Sequence, residues 1–198
     1  DPVTDLIKDL AHPAVFPWVC LLFGLMVGSF LNVVIHRVPK MMDRAWMTDI
    51  PESVEESKFT KDPAVAKRLA QGIREQTRAA LQERFDLFLP RSKCPSCDHQ
   101  ITALENIPVV SYLALRGKCS GCRRRISLMY PFVETLTGAS FAFSAWHFGF
   151  TLAALGAMVF LSCTIAVAII DQRTGFLPDQ ITLLLLWAGL LLNLGAAF

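Results

Sequence analysis

The 198-residue chain is apolar, and its charge is unevenly distributed. Apolar residues make up 53% of it, charged residues only 18%, and mean hydropathy is +0.43, whereas soluble domains carry about 25% charged residues. Positions 36–130 hold 17 of the 19 Lys and Arg residues and 11 of the 17 Asp and Glu residues, a net charge of +6. This pattern excludes an ordinary soluble domain and predicts a hydrophilic insert within a membrane protein.

Four apolar stretches are long enough to cross a bilayer, which takes about 20 residues in a helix. They are residues 14–35, 131–150, 151–170 and 181–198. The second is the weakest, since it includes Glu134 and His147. The first could be a signal peptide, but residues 1–9 are acidic and the apolar run is too long for one, so we interpret it as a retained span. The sequence therefore predicts an all-α polytopic membrane protein with about four transmembrane helices.

The basic residues predict the orientation of these spans. Arg37 and Lys40 follow the first span, and the arginines at 123–125 precede the second. Because Lys and Arg beside a span remain on the cytosolic side, we expect the insert to face the cytosol and the N-terminus to lie outside. Alternation then places residues 171–180 at the cytosolic face, and Arg173 agrees with that placement. We predict three regions: 1–38 with the first span, the insert at 39–130, and 131–198 with three further spans.

The insert begins with a polar stretch and an amphipathic segment. Residues 41–60 are expected to be irregular, with Pro39 and Pro51 as helix breakers. Asp62 followed by Pro63 is typical of a helix N-cap and first helical residue. Apolar residues then recur at near-helical spacing, which predicts a helix to about residue 87, ended by Pro90. Such a helix either packs on its own domain or contacts lipid headgroups or a partner.

The strongest local signal is a pair of CxxC motifs in the insert. Cys94 and Cys97 are separated by 21 residues from Cys119 and Cys122. This spacing is close to that of zinc ribbons and predicts a closed four-sulfur zinc site with a structural role. Disulfides are disfavoured in a reducing cytosol, and an iron–sulfur cluster is the remaining alternative. Nearby His99 is expected to be a surface residue, because four cysteines already complete the ligand set.

The apolar spans contain a few small and polar residues. Cys20 and Cys163 are interpreted as small hydrophobic residues without chemistry. Gly24 and Gly28 form a GxxxG pattern, which favours close helix packing and leaves dimerisation open. In the same span, residues 29 and 32 are Ser and Asn. They could line a polar path, although interhelical hydrogen bonding is the commoner outcome.

Three carboxylates lie at predicted membrane edges, where ionisable groups are costly and often functional. Asp171 follows twenty uncharged residues, and Gly175 and Pro178 then break the helix. Its carboxylate would be partly buried at a helix C-terminus and suits one half of an aspartyl pair, although it could be an ordinary interfacial residue. Asp179 is placed as a helix N-cap. Glu134 is either a packing residue or a site residue.

Several motifs, in order, resemble the type IV prepilin leader peptidase/N-methyltransferases over nearly the whole chain. The matching segments are residues 28–37 (GSFLNVVIHR), 94–97 (CPSC), 105–108 (ENIP), 111–112 (SY), 117–119 (GKC) with Cys122, 130–134 (YPFVE) and 170–179 (IDQRTGFLPD). The resemblance implies a bifunctional enzyme of the bacterial inner membrane. Such enzymes remove the basic leader of type IV prepilins and type II secretion pseudopilins at the cytosolic face, then methylate the new N-terminus with S-adenosylmethionine.

The resemblance also implies residue roles. Asp171 corresponds to the first of two water-activating aspartates, the four cysteines to one structural zinc, and Gly117 to a segment associated with methyl transfer. The second aspartate belongs to a glycine-x-glycine-aspartate motif that does not occur in these residues. We therefore expect this chain to be an inactive portion of the enzyme. The alternative function is a non-enzymatic membrane adaptor whose zinc insert docks a partner. The expected partners are pilin precursors and lipid, without nucleic acid.

Overall fold

The computed structural model describes residues 9–56, 62–82 and 84–194. These residues are mostly helical. Their only β-pairings are two isolated antiparallel bridges, Lys93 with Gln100 and Lys118 with Arg125. The predicted all-α class is confirmed. Residues 1–8, 57–60 and 195–198, which belong to the predicted acidic N-terminus, polar stretch and fourth span, lie outside the described residues.

Helix α1 spans Phe16–Glu56 and continues through both Pro39 and Pro51. The prediction of an irregular stretch is wrong for residues 41–56. Each proline removes one main-chain hydrogen bond, and on either side of Pro39 the helix makes tertiary contacts. The guanidinium of Arg44 lies 4.4 Å from the ring centroid of Phe85, and that of Arg37 lies 5.6 Å from it. Arg37 also donates to the carbonyl of Asp86 at 2.7 Å.

Helix α2 spans Pro63–Gln82, and its predicted start is confirmed because Oδ1 of Asp62 accepts the N–H of Ala64 at 2.9 Å. The helix ends before the predicted residue 87. Oδ1 of Asp86 accepts the N–H groups of both Phe88 and Leu89 at 2.7 Å, and this local turn replaces the helical pattern. Ala66 and Ala70 form the buried side of α2.

A short 3₁₀ helix at Leu104–Asn106 and helix α3 at Val110–Ala114 follow the first CxxC motif. Three longer helices complete the described chain: α4 at Met129–Phe148, α5 at Leu152–Thr174 and α6 at Asp179–Leu194. They match the predicted second, third and fourth spans to within a few residues over the described part. Helices α1 and α5 are long and apolar enough to cross a membrane, while α6 is apolar but shorter. The number of four spans stays a prediction.

The GxxxG pattern packs α1 against α4. A Cβ atom built on Gly24 would lie 2.9 Å from Cα of Gly138, and one on Gly28 would lie 2.6 Å from Cα of Glu134. Only glycine permits so close an approach of two backbones, so the predicted helix packing is confirmed. Nearby, Cys20 is buried in an apolar cluster with Phe141, Ala145, Ala154 and Met158.

The chain forms two compact units: residues 1–35 together with 92–198, and residues 36–91. Both CxxC motifs and helices α4–α6 belong to the first unit. The second unit contains the C-terminal part of α1 and all of α2, joined by an ion pair of 2.9 Å between Arg74 and Glu55. The predicted regions 1–38, 39–130 and 131–198 divide the chain by apolar and charged stretches, whereas the two units reflect contacts between residues. The predicted boundaries stay a prediction.

Candidate metal centre and membrane-edge carboxylates

The two CxxC motifs lie in matching hairpins. We call residues 93–100 the first knuckle and residues 118–125 the second. In the first, the N–H of Cys94 donates to the carbonyl of His99, and in the second that of Cys119 donates to Arg124, both at 2.9 Å. Asp98 and Arg123 follow the second cysteine of each motif with φ of 55° and 62°. Two copies of one tight turn thus present four thiols.

The four sulfurs of Cys94, Cys97, Cys119 and Cys122 all lie within 4.8 Å of one another. The Sγ atoms of Cys94 and Cys122 are 3.9 Å apart, as are those of Cys97 and Cys119. A disulfide bond is about 2.05 Å long, and all four cysteines are free. Tetrahedral zinc with Zn–S bonds of about 2.3 Å separates its sulfurs by about 3.8 Å. The donor set and its spacing therefore fit zinc.

Electrostatics within the cluster also suits a cation. The backbone N–H of Ser96 stabilises the thiolate of Cys94 and lowers its pKa to about 6. The backbone N–H of His99 likewise favours the thiolate of Cys97, but desolvation and the sulfurs of Cys122, Cys94 and Cys119 outweigh it and raise the pKa of Cys97 to about 12. One of the four thiols deprotonates readily, whereas deprotonation of the others is unfavourable unless a bound cation neutralises the added negative charge.

A polar cluster beside the sulfurs joins the two knuckles. The carboxylate of Glu105 accepts the N–H of Thr102 at 2.8 Å and lies 3.2 Å from Nε2 of His99. It also accepts the hydroxyl of Ser120, whose oxygen lies 3.0 Å from Nε2 of His99. His99 is therefore partly covered and contacts the second knuckle, a role that the sequence prediction of a surface residue missed. The spacing of Thr102 and Glu105, typical of a capping box, was the available signal.

Gly117 precedes the second knuckle with a φ of +66°, and a Cβ atom there would lie 2.7 Å from the hydroxyl oxygen of Tyr112. Its N–H donates to the carbonyl of Tyr112, and its carbonyl accepts the N–H of Ile126, both at 2.8 Å. Any side chain at this position would be strained and would displace the tyrosine ring. The geometry alone therefore requires glycine here.

Asp171 lies in the last turn of α5, as predicted, and its carbonyl accepts the N–H of Gly175, a left-handed C-cap, at 2.7 Å. Its side chain is exposed, so the expected partial burial is not found among the described residues. The neighbouring Ile170, by contrast, is fully buried. The carbonyl of Pro178 accepts the first bonds of α6. The cap thus falls one residue before Asp179, which occupies the first helical turn.

Glu134 is the buried member of the three carboxylates, with 8% of its surface exposed. Its Oε2 accepts the N–H of Val109 at 2.7 Å, and Ser29 of α1 is also hydrogen-bonded to it. One turn further along α1, Asn32 donates to the carbonyl of Tyr130 at 3.1 Å. The expected interhelical hydrogen bonding of Ser29 and Asn32 is therefore confirmed.

Comparison with known proteins gives consistent matches. Residues 22–148 match the family described as Bacterial Peptidase A24 N-terminal domain. Relatives named prepilin leader peptidase/N-methyltransferase are 46% identical over 92% of this chain in Stutzerimonas stutzeri, and 44% identical over 97% of it in Pseudomonas aeruginosa. A third, from Burkholderia pseudomallei, is 44% identical over 90%.

The chain spans 52–59% of the length of these three relatives. No solved structure matches it. The family match covers most of α1, both knuckles and all of α4, so the resemblance inferred from the motifs is confirmed. The chain belongs to the family of the bacterial peptidase A24 N-terminal domain.

Proposed function

We propose that this chain is the N-terminal part of a prepilin leader peptidase/N-methyltransferase. The observation that supports it is sequence identity of 44–46% over at least 90% of the chain to relatives of that name. The enzyme would cleave the basic leader of type IV prepilins and type II secretion pseudopilins. It would then methylate the new N-terminus with S-adenosylmethionine.

In this proposal Asp171 is one of two aspartates that activate water for peptide cleavage. Its exposed carboxylate lies at the end of an apolar helix, where a substrate arriving from the cytosol could reach it. An aspartyl mechanism needs a second carboxyl, so that one group is protonated while the other draws a proton from water. We therefore assign cleavage to a polypeptide that supplies this second aspartate, and expect residues 1–198 alone to be inactive.

The four cysteines of the knuckles would bind one structural zinc ion. A four-thiolate site leaves no open coordination position, so the metal would stabilise the fold and take no part in the chemistry. The residues of this chain would instead present the substrate: the knuckle region around Gly117 is assigned to methyl transfer, and the end of α5 to cleavage.

The distribution of Lys and Arg supports a multi-pass protein of the bacterial inner membrane with the knuckles in the cytosol. Asp171 and the methyl-transfer segment must face the same compartment, because the N-terminus that cleavage at Asp171 creates is the group that is then methylated. Metal analysis of the purified chain should give about one zinc atom for the four knuckle thiols.

The decisive experiment uses the full-length parent and a prepilin substrate. Asp171→Asn should lower the rate of leader removal by at least about 10²-fold, since the water would lose its general base. Asp179→Asn is the matched control, because Asp179 is also exposed and lies at a neighbouring helix end, and it should cleave normally. A normal rate in Asp171→Asn would overturn the assignment. If the unsubstituted parent neither cleaves nor methylates, the adaptor function is favoured instead.

A further inference from the structure

Three segments of the chain meet at one buried carboxylate, that of Glu134 on α4. Its Oε2 accepts the N–H of Val109 at 2.7 Å, and Ser29 of α1 is hydrogen-bonded to the same side chain. The backbones of α1 and α4 are in close contact at this residue, since a Cβ atom on Gly28 would lie 2.6 Å from Cα of Glu134. An ionisable residue within an apolar helix is costly, and such residues usually have a functional role.

The backbone at Val109 is in a rarely populated conformation. Its φ and ψ are 57° and −46°, and the N–H of Val110 donates to the carbonyl of Pro108. This is a classic γ-turn, which is strained, and a β-branched residue with positive φ is a true outlier. Such a conformation persists only where surrounding contacts impose it. The bond from Val109 to Glu134 is a contact of that kind.

We propose that Glu134 is a positioning residue. Its carboxylate holds residues 101–117, the segment between the two knuckles, onto α1 and α4; we call this contact the Glu134 latch. The segment includes α3 and ends at Gly117, so the latch fixes the approach of the chain to the second knuckle. The bond between Asn32 and the carbonyl of Tyr130 joins α1 and α4 one turn away and keeps Glu134 in place.

The latch requires an acceptor oxygen at the end of a side chain of glutamate length. Glu134→Gln retains such an oxygen and removes the charge. Glu134→Met retains the length but has no strong acceptor, and Glu134→Asp retains the charge but draws the oxygens back by one methylene. Thr137→Val is the matched control: Thr137 is also buried on α4, and its hydroxyl bonds only to the carbonyl of Val133 in its own helix.

The measurement is hydrogen exchange of amides at residues 107–115 in the purified chain, in detergent or nanodiscs. Glu134→Met and Glu134→Asp should raise the exchange rate there about tenfold, as expected for one lost buried hydrogen bond. Glu134→Gln and Thr137→Val should match the unsubstituted chain. The zinc content should not change in any variant, because Glu134 does not contact the sulfur cluster.

Unchanged exchange in Glu134→Met would overturn the latch, as would faster exchange in Glu134→Gln. If Glu134→Met does not fold, Glu134→Asp decides. Exchange as slow as in the unsubstituted chain would mean that the charge of the side chain matters and its length does not, and this result would also overturn the latch.

A functional test rests on the proposed function. In the full-length parent, Glu134→Asp should lower methyl transfer more than leader removal, since the latch holds the segment with Gly117 whereas Asp171 lies on α5. Equal loss of both activities would contradict a specific role in methyl transfer. If the unsubstituted parent shows neither activity, the proposed function fails, while hydrogen exchange in this chain still decides whether the latch exists.

Discussion

Single residues around the sulfur cluster account for much of its geometry, and Glu105 is the clearest example. The hydroxyl of Ser120, the N–H and hydroxyl of Thr102, and His99 lower the pKa of Glu105 to about 2. A glutamate in an unfolded chain has a pKa of about 4.3. Because the folded pKa is the lower one, the ionised carboxylate stabilises the fold above pH 4.3. This contribution diminishes as the pH falls toward 2.

We therefore expect Glu105→Gln to be less stable than the unsubstituted chain at pH 7, with a difference that stays constant down to about pH 5 and then shrinks. Thermal unfolding at a series of pH values, followed by circular dichroism, measures this. Glu75→Gln, on the exposed surface of α2, is the control and should change little at any pH. A difference that grows on acidification would contradict the assigned role of Glu105.

At the scale of single residues, the sequence predicts those site residues that lie close together along the chain. The four cysteines were found because each CxxC motif closes within one turn. The contacts of Glu105 with Ser120 and His99 were not found, because Glu105 lies on the 3₁₀ helix outside both hairpins and its two partners come from different hairpins. The bond from Glu134 to Val109 was missed for the same reason: its partners are 25 residues apart and no motif links them.

At the scale of helices, the GxxxG pattern of α1 gives the most direct test. A Cβ atom on Gly28 would lie 2.6 Å from the backbone of Glu134, whereas nothing lies within 4 Å of one on Gly72 in α2. Gly28→Ala should separate α1 from α4 and lower the free energy of unfolding by about 1–3 kcal/mol. Gly72→Ala should be neutral or raise it by up to about 1 kcal/mol. Unfolding titrations in mixed detergent micelles measure both, and equal effects would refute the close packing.

Helix positions were predicted better than helix ends. The apolar runs gave α4, α5 and the described part of α6 to within four residues. Two helix ends were predicted wrongly: α1 continues through Pro39 and Pro51, and α2 ends before residue 87. Around Pro39, α1 makes contacts with residues distant along the chain. After α2, the side chain of Asp86 bonds the backbone of the next residues and forms a turn. Neither effect can be predicted from the helix propensities of the residues alone.

For the molecule as a whole, the predicted zinc site and the helices should respond differently to loss of metal. The knuckles contain little regular secondary structure, so their shape depends on the four sulfurs. Removal of zinc with a chelator should raise hydrogen exchange throughout residues 93–125. The far-ultraviolet circular dichroism should change little, because the long helices lie outside this range. A large loss of helical signal would show that the metal supports the entire fold.

Composition gave the general architecture correctly, because the separation of charge from apolar sequence is a property of the whole chain. It predicted the membrane helices and the hydrophilic segment between them. It did not predict that residues 92–128 group with the membrane helices and residues 36–91 form a unit of their own. That division depends on tertiary contacts, whereas the charge pattern predicts only the side of the membrane that each segment faces.

The matching left-handed positions of the knuckles have a thermodynamic consequence. Arg123 occupies a backbone conformation that disfavours any residue with a Cβ atom by roughly 1–2 kcal/mol. Arg123→Gly and Arg123→Ala both remove the charge, and of the two only glycine adopts that conformation without a steric cost. Competition with a chromogenic chelator should show the glycine variant retaining zinc about fivefold more tightly, a difference of about 1 kcal/mol. We therefore expect any side chain at residue 123 to lower the zinc affinity relative to glycine. Equal zinc retention by the two variants would mean that the left-handed conformation has no steric cost here.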